Sequence, residues 1–147
     1  MIQRMKALPI LMLAALAGCT TGATLEFRPV MDCVSGQAKY PTVAPTVSPV
    51  CLAPDVIVND ADIISVTPVE HGRFPNLMVV TFSPAGQKRF SDFTFHHVGE
   101  KFAVIVNGVV AQTPTILEPI SGNGGEIILT PATEDAVIKR FKGRAAP

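Results

Sequence analysis

Two adjacent histidines, His96 and His97, come closest in this chain to a metal-binding or acid–base pair. They fall in a segment predicted to be helical, and neighbouring helix residues point about 100° apart, so the rings do not converge on one ion. The simpler interpretation places His97 on the core side of the helix and His96 outside it. The chain contains no Gly-x-Ser-x-Gly and no His-Glu-x-x-His motif. The sequence therefore predicts a protein that is not an enzyme, without catalytic residues, a metal site or a cofactor.

Two further patterns have structural explanations. The glycine-rich run at residues 122–125 precedes a predicted strand and has no lysine after it. It therefore lacks the helix N-terminus that phosphate binding uses, and we interpret it as a turn. Glu134 and Asp135 are adjacent carboxylates in the first turn of a predicted helix, where they complement the positive end of the helix dipole.

Two cysteines, Cys33 and Cys51, flank a Pro-rich stretch. Neither belongs to a Cys-x-x-Cys motif, and neither has His or Cys neighbours at zinc spacing. An oxidising compartment permits such a pair to form a disulfide, whose loop closure would stabilise the fold by about 3 kcal/mol in the chain-entropy model. We expect this disulfide, with two free thiols as the alternative.

The N-terminus has the parts of a secretory signal. Arg4 and Lys6 give a basic start, residues 7–17 form an apolar run too short to span a membrane, and small residues precede Cys19. A cysteine directly after small residues resembles the lipobox of bacterial lipoproteins, in which that cysteine becomes the mature N-terminus and carries acyl chains such as palmitate.

This resemblance implies that residues 1–18 are a signal peptide and that Cys19 is the lipid attachment site. The mature protein would lie outside the cytoplasm, anchored to the outer face of the plasma membrane or to the outer membrane. Two or more acyl chains make such anchoring stable because each buried CH₂ contributes about 0.8 kcal/mol. The alternative is an ordinary cleaved signal peptide with a chance cysteine.

The charge balance disfavours nucleic acid as a partner. Without Arg4 and Lys6, ten Lys and Arg residues remain against twelve Asp and Glu, a net charge of −2. The basic residues at 139–144 lie at the end of a predicted helix and complement its negative end. The expected membrane contact is the lipid anchor.

The chain divides into three predicted parts. Residues 1–18 are the signal peptide, and residues 19–54 are a tether and a Pro-rich, disulfide-clasped excursion outside the sheet. Residues 55–147 form the domain. Within the tether part, residues 25–30 look like a short strand interrupted by Pro29.

Local signals place the elements of the domain. Ser83-Pro84 and Thr130-Pro131 each predict the start of a helix. The first helix should stop at Gly99, and Asn107-Gly108 between two apolar runs predicts a hairpin. The order β-β-α-β-β-β-α predicts an α+β fold, an antiparallel sheet with two helices on one face.

These residues resemble the periplasmic head subdomain of SecD, a membrane subunit that assists protein secretion. The resemblance rests on the helix beginning Gly86-Gln87-Lys88-Arg89-Phe90, the hairpin at residues 102–110, the following residues 114–120, and the glycine turn and final helix. In that family a proton-coupled step depends on charged residues within spanning helices. No spanning helix is apparent here, so we expect no proton-driven pulling from this chain alone.

The resemblance implies a non-enzymatic binding module that contacts translocating or unfolded polypeptide, or the secretion machinery. The alternatives are a structural or envelope-interaction lipoprotein with no role in secretion and, third, a hydrolase. Phe95 lies about 140° around the helix from Phe90, so we expect it, with His96, to form part of an exposed contact patch. Packing of Phe95 under the Pro-rich excursion is the alternative.

Overall fold

The structure, a computed structural model, describes residues 24–43, 48–69 and 74–144. The predicted signal peptide and Cys19 lie outside the described residues. The described elements, in chain order, are β1 (Leu25–Met31), β2 (Cys51–Leu52), a 3-10 turn η1 (Asp60–Asp62), β3 (Ile63–Pro68), β4 (Leu77–Phe82), α1 (Pro84–His96), β5 (Phe102–Val106), β6 (Val109–Gln112), β7 (Gly124–Ile128) and α2 (Pro131–Phe141).

The strands form two antiparallel sheets, with orders β2-β1-β5-β6 and β3-β4-β7. From β3 onward the elements follow the predicted order β-β-α-β-β-β-α, which confirms the α+β class. The division into two sheets differs from the single sheet expected. One core joins both sheets to both helices, and it includes Phe27, Val80, Phe90 and Val137.

Strand β1 corrects the predicted boundary at residue 55. It lies between β2 and β5, and its Leu25 and Phe27 side chains are buried in the core. Alternating side chains of a strand face opposite sides, so these two residues both face the core. Pro29 does not end the strand, because it still pairs with Phe102. The folded domain therefore includes residues that the sequence assigned to the tether.

The Pro-rich excursion also belongs to the fold. Tyr40 and Val50 exchange backbone hydrogen bonds of 2.8 and 3.1 Å, and Val110 of β6 donates to the carbonyl of Pro41 at 2.8 Å. Side chains of the excursion pack on a second cluster on the outer face of the four-stranded sheet, formed by Leu52, Ala103, Ile105 and Val110. The excursion therefore covers this sheet rather than lying outside it.

The predicted disulfide is confirmed. Cys33 and Cys51 are bonded, with their Cα atoms 5.2 Å apart. Cys51 opens β2 and is 1% exposed, whereas Cys33 lies at the surface just after β1. The disulfide thus fastens both ends of the excursion to the β1–β2 edge of the sheet.

The local helix and turn signals are confirmed. The Ser83 side chain accepts a hydrogen bond from the amide of Gly86 at 3.1 Å, and the Thr130 side chain accepts one from Thr133. Asn107 and Gly108 have φ angles of 49° and 79°, the positive values that a two-residue hairpin turn requires. Helix α1 therefore begins where predicted, and β5 and β6 lie side by side.

Candidate functional site

The segment after β6 is held in place without being a strand. The amide of Gly99 donates to the carbonyl of Ile116 at 2.8 Å, and the amide of Ile116 donates to that of Glu100 at 2.9 Å. The amide of Ile120 donates to Oγ1 of Thr94 on α1 at 3.0 Å. Because these bonds fasten it to the end of α1 and to the loop that follows, the segment forms a fixed wall.

Strand β7 is the edge of its sheet. It pairs with β4 on one side, and no described strand pairs with it on the other. The amide of Phe82 donates to the carbonyl of Asn123, and the amide of Leu129 donates to that of Asn76. Backbone groups alternate in direction along an antiparallel strand, so every second residue of β7 directs its amide and carbonyl away from β4, to the open edge. These residues are Gly124, Glu126 and Ile128.

A groove of about 460 Å³ lies between β7 and the segment at residues 112–118. Its floor includes the core rings of Phe27, Phe90 and Phe102. Its volume falls in the range of about 300–1,000 Å³ that is typical of ligand-binding clefts. We call this feature the β7 groove.

Large apolar side chains project at the mouth of the β7 groove. Phe74, Leu117 and Ile128 line it and are 53%, 85% and 44% exposed. Exposed apolar residues grouped around a cleft mark an interaction surface more often than single exposed ones do. The groove can therefore bury apolar groups of a ligand.

The floor of the groove is tightly packed. The ring centroid of Phe27 lies 5.7 Å from those of Phe82, Phe90 and Phe102. Two of these pairs meet edge to face, an arrangement that aromatic rings prefer. A ligand in the groove would thus meet a preformed apolar surface.

Among the described residues, the two charged ones that line the β7 groove are both acidic. Glu118 and Glu126 are exposed, and within the described residues neither forms an ion pair. Among the residues that the structure describes, no Lys or Arg lines the groove. The groove therefore combines an apolar floor with two carboxylates at its walls.

The predicted contact residues lie on α1, outside the lining of this groove. Phe95 is 65% exposed, and its ring meets that of His96 edge to face, with centroids 5.2 Å apart. With this exposure, Phe95 is not buried under the Pro-rich excursion. Thr94, which precedes Phe95 on α1, accepts a hydrogen bond from the amide of Ile120. The patch formed by Phe95 and His96 therefore lies close to the wall of the groove that contains Ile120.

The two adjacent histidines do not face one another. Nδ1 of His96 lies 2.8 Å from the carbonyl of Asp92, and Nδ1 of His97 lies 2.7 Å from the carbonyl of Phe93. The His97 ring also stacks on Phe93. Each ring is thus engaged with its own helix, and among residues 24–43, 48–69 and 74–144 no group of His, Cys, Asp and Glu could hold a metal ion.

Asp60 anchors the point at which the chain enters the domain. Its carboxylate accepts hydrogen bonds from the amides of Leu25 and Thr24 at 2.8 and 3.2 Å, and from Nε of Arg140 at 2.8 Å. Burial by itself raises the pKa of Asp60, but the Arg140 side chain and the two amides outweigh it and hold the pKa below its usual value. The start of β1 is therefore tied to the end of α2.

Sequence reasoning missed the residues of the β7 groove. Phe74, Leu117, Glu118, Glu126 and Ile128 meet there only because the two sheets and the segment at residues 112–118 come together. The local signal that could have identified Leu117 is a large apolar residue between two prolines, Pro114 and Pro119. Nothing in its local sequence indicates what it faces.

Within the part of the chain that the structure describes, no helix is both long enough and apolar enough to cross a membrane.

Comparison with known proteins gives one consistent family. The model of the SecDF P1 head subdomain matches residues 37–137. The chain is 29% identical over 120 residues to the protein translocase subunit SecD of Rhodobacter capsulatus, covering 73% of this chain and 21% of that protein. It is 33% identical over 51 residues to SecD of Acidaminococcus fermentans, covering 35% of this chain and 12% of that protein. The chain thus spans about a fifth or less of these relatives.

A solved structure of SecDF, described as a membrane component that enhances protein export, has a similar fold. The two superpose with a TM-score of 0.61 at 26% identity, covering 85% of this chain and 65% of that one.

Proposed function

Because this chain belongs to the SecDF P1 head subdomain family, we propose that it is a non-enzymatic, extracytoplasmic binding module that contacts polypeptide in the course of its export. The β7 groove is the observation that carries this proposal. It offers apolar side chains at its mouth, aromatic rings at its floor and unpaired backbone groups along one wall. Unfolded polypeptide presents the complementary groups, which are exposed apolar side chains and free backbone amides.

Phe95 and His96 form a second part of the proposed contact surface. They lie on α1, which binds the wall segment of the groove through Thr94 and Ile120. A polypeptide that leaves the groove past this wall would meet an exposed aromatic ring. Such a ring buries a large apolar area at little cost in conformational entropy.

The proposed anchor is a lipid on Cys19. The chain enters the domain at Thr24, where Asp60 fixes the first amides of β1. An anchor at Cys19 would therefore hold the domain within a few residues of the membrane surface. Replacement Cys19→Ser would remove the sulfur needed for the thioether, and labelling with a fatty acid followed by membrane fractionation would test it. Equal labelling of the Ser variant would contradict the lipid attachment.

Site-specific photocrosslinking in intact cells tests the contact with polypeptide. A photoreactive phenylalanine replaces Leu117 at the mouth of the groove, and in a matched variant it replaces Val34 on the excursion. Both positions are exposed and apolar, at 85% and 63%. We expect crosslinks to newly exported, incompletely folded chains from position 117, and few or none from position 34.

Two results would overturn the proposal. Equal crosslinking from both positions would mean that the groove is not the contact surface. Crosslinks from position 117 to a single folded envelope protein would support the alternative of an envelope-interaction protein without a role in secretion.

A further inference from the structure

We propose that the β7 groove selects extended polypeptide segments in which a Lys or Arg adjoins apolar residues, and that it holds them by strand addition to β7. This inference rests on the proposed function, in which the groove contacts polypeptide. It adds the mode of binding and the chemical class of the bound segment.

The backbone of β7 carries the first part of the argument. Gly124, Glu126 and Ile128 direct their amides and carbonyls to the open edge, and Glu126 and Ile128 line the groove. An extended segment laid beside them could form a regular ladder of main-chain hydrogen bonds, which gives affinity without a requirement for sequence. The bound segment would extend the sheet order from β3-β4-β7 to four strands.

The other edges of the two sheets differ from that of β7. The β6 edge is occupied by the excursion, where Val110 donates to Pro41 and accepts from Val43. Helix α2 packs against β3, and Arg144 donates to the carbonyl of Ile63 at the start of that strand. The remaining edge strand, β2, has only two residues. Open edges promote aggregation, and proteins commonly cover or shorten them. Among the described residues no strand covers the β7 edge, which lies beside an apolar groove, and this favours a functional use.

The floor of the groove selects apolar side chains. Alternate residues of an added strand would point toward the floor and away from it. The floor presents Phe27, Phe90 and Phe102, and Ile116 and Ile127 contribute to the lining. An apolar side chain entering there is removed from water, and burial stabilises it by about 25 cal/mol per Å².

The acidic residues on the two walls favour positively charged side chains in the bound segment. Glu118 and Glu126 stand on opposite walls, are exposed, and within the described residues form no ion pair. Cross-strand neighbours of opposite charge stabilise a sheet pair, and like charges directly opposite destabilise it. A Lys or Arg in the bound segment is therefore favoured over an Asp or Glu at the same place.

Peptide binding to the full chain, purified in detergent with its disulfide intact, tests the charge selection. The probes are fluorescent ten-residue peptides of alternating Val and Thr with one central Lys, and the same peptide with Glu instead of Lys. We expect the Lys peptide to bind roughly three- to tenfold tighter by anisotropy.

Matched variants assign this preference to the groove. The double variant Glu118→Gln, Glu126→Gln should bind both peptides with similar affinity. The control Asp135→Asn, which removes an exposed carboxylate on α2 outside the groove lining, should keep the preference. A preference that survives in the double variant would overturn the charge selection.

Strand addition is tested with a Lys peptide that is N-methylated at alternate residues, in both possible registers. Methylation removes the donors along one edge of the peptide, so we expect one register to lose at least tenfold in affinity and the other to bind as before. Glu126→Pro, compared with Glu126→Gln, should weaken binding because proline removes an amide that faces the open edge. The methylated peptides decide the question even where the Pro variant does not fold.

The possible failures are distinct. Peptides that bind in the groove with no dependence on charge or on backbone amides would refute this inference and leave the proposed function standing. A full chain that binds none of the peptides, and whose position 117 crosslinks to no exported chain, would refute both.

Discussion

Removing the Cys33–Cys51 disulfide tests whether the Pro-rich excursion stabilises the whole domain. The suitable double variant is Cys33→Ser, Cys51→Ala. Cys33 is exposed, so a Ser hydroxyl there stays hydrated. Cys51 is 1% exposed, so a hydroxyl at that position would be buried and would cost stability unless it formed a hydrogen bond, whereas Ala adds no polar group.

The size of the effect follows from the loop that the bond closes. The two cysteines are 18 residues apart. In the chain-entropy model a loop of this length stabilises the folded state by about 3 kcal/mol at 25 °C. Single domains of this kind have a total stability of about 5–15 kcal/mol, so the loss is a large fraction of the whole.

The structure indicates that losing the disulfide also destabilises the four-stranded sheet. Tyr40 and Val50 of the excursion pack against the cluster on the outer face of this sheet, which includes Leu52 and Ile105. If the domain began at residue 55, as the sequence predicts, loss of the bond would loosen the excursion more than it unfolds the domain. We now expect the double variant to unfold at lower urea concentration as one cooperative unit.

Urea unfolding, followed by far-UV circular dichroism without reductant, measures this. We expect a lower midpoint with an equal or somewhat larger m-value, because the unfolded chain without the crosslink is less compact and exposes more surface. Reducing the native protein should reproduce the shift, which controls for the substitutions themselves. A shift equivalent to less than about 1 kcal/mol, with rapid proteolysis confined to residues 34–50, would refute the reasoning and restore the excursion as an independent segment.

Three further predictions address α1, β7 and Asp60. Phe95→Ala should lower stability by less than about 0.5 kcal/mol in thermal unfolding, because the ring is 65% exposed; a loss near the 3–5 kcal/mol of a buried phenylalanine would contradict its placement. Gly124→Ala should lower the melting temperature, because its Cβ would lie 1.9 Å from the carbonyl oxygen of Val80 and force the strands apart. Gly125→Ala, whose Cβ meets nothing within 4 Å, is the matched control, and equal melting temperatures for the two variants would argue against this packing. The pKa of Asp60 in the folded protein lies below its usual 3.8. Its contribution to folding stability is therefore fully present above pH 3.8 and is lost as the pH falls through the lower folded pKa. Asp60→Asn should cost about 1.5–3 kcal/mol at pH 7 and flatten the loss of stability below about pH 4 in urea unfolding, and an unchanged acid profile would count against the contacts of Asp60.

Local chemistry made several elements predictable from sequence. Ser83-Pro84 and Thr130-Pro131 begin helices because a hydroxyl accepts a free amide and proline tolerates the first helical position. Asn107-Gly108 forms a hairpin turn because both residues accept positive φ. Each signal involves residues close together in the chain, so its outcome does not depend on the rest of the fold.

The place of β1 was not predictable in the same way. The sequence predicts a short strand at residues 25–30, interrupted by Pro29. Its central position depends on pairing with β5, whose residues lie some 80 positions further along the chain. No local pattern specifies such a partner, since the pairing is stabilised by burial of side chains that only the assembled core brings together.

The sequence by itself therefore determined the class of the fold, the helix starts, the hairpin, the disulfide partners and the family resemblance. Only the tertiary structure decided that the strands divide into two sheets, that the excursion covers one of them, and that β7 keeps an open edge. It also decided that Glu118 and Glu126 face one apolar groove. The physical reason is that caps, turns and loop closure act between residues identified by type and spacing, whereas a groove is the space left between elements after their apolar faces have been buried.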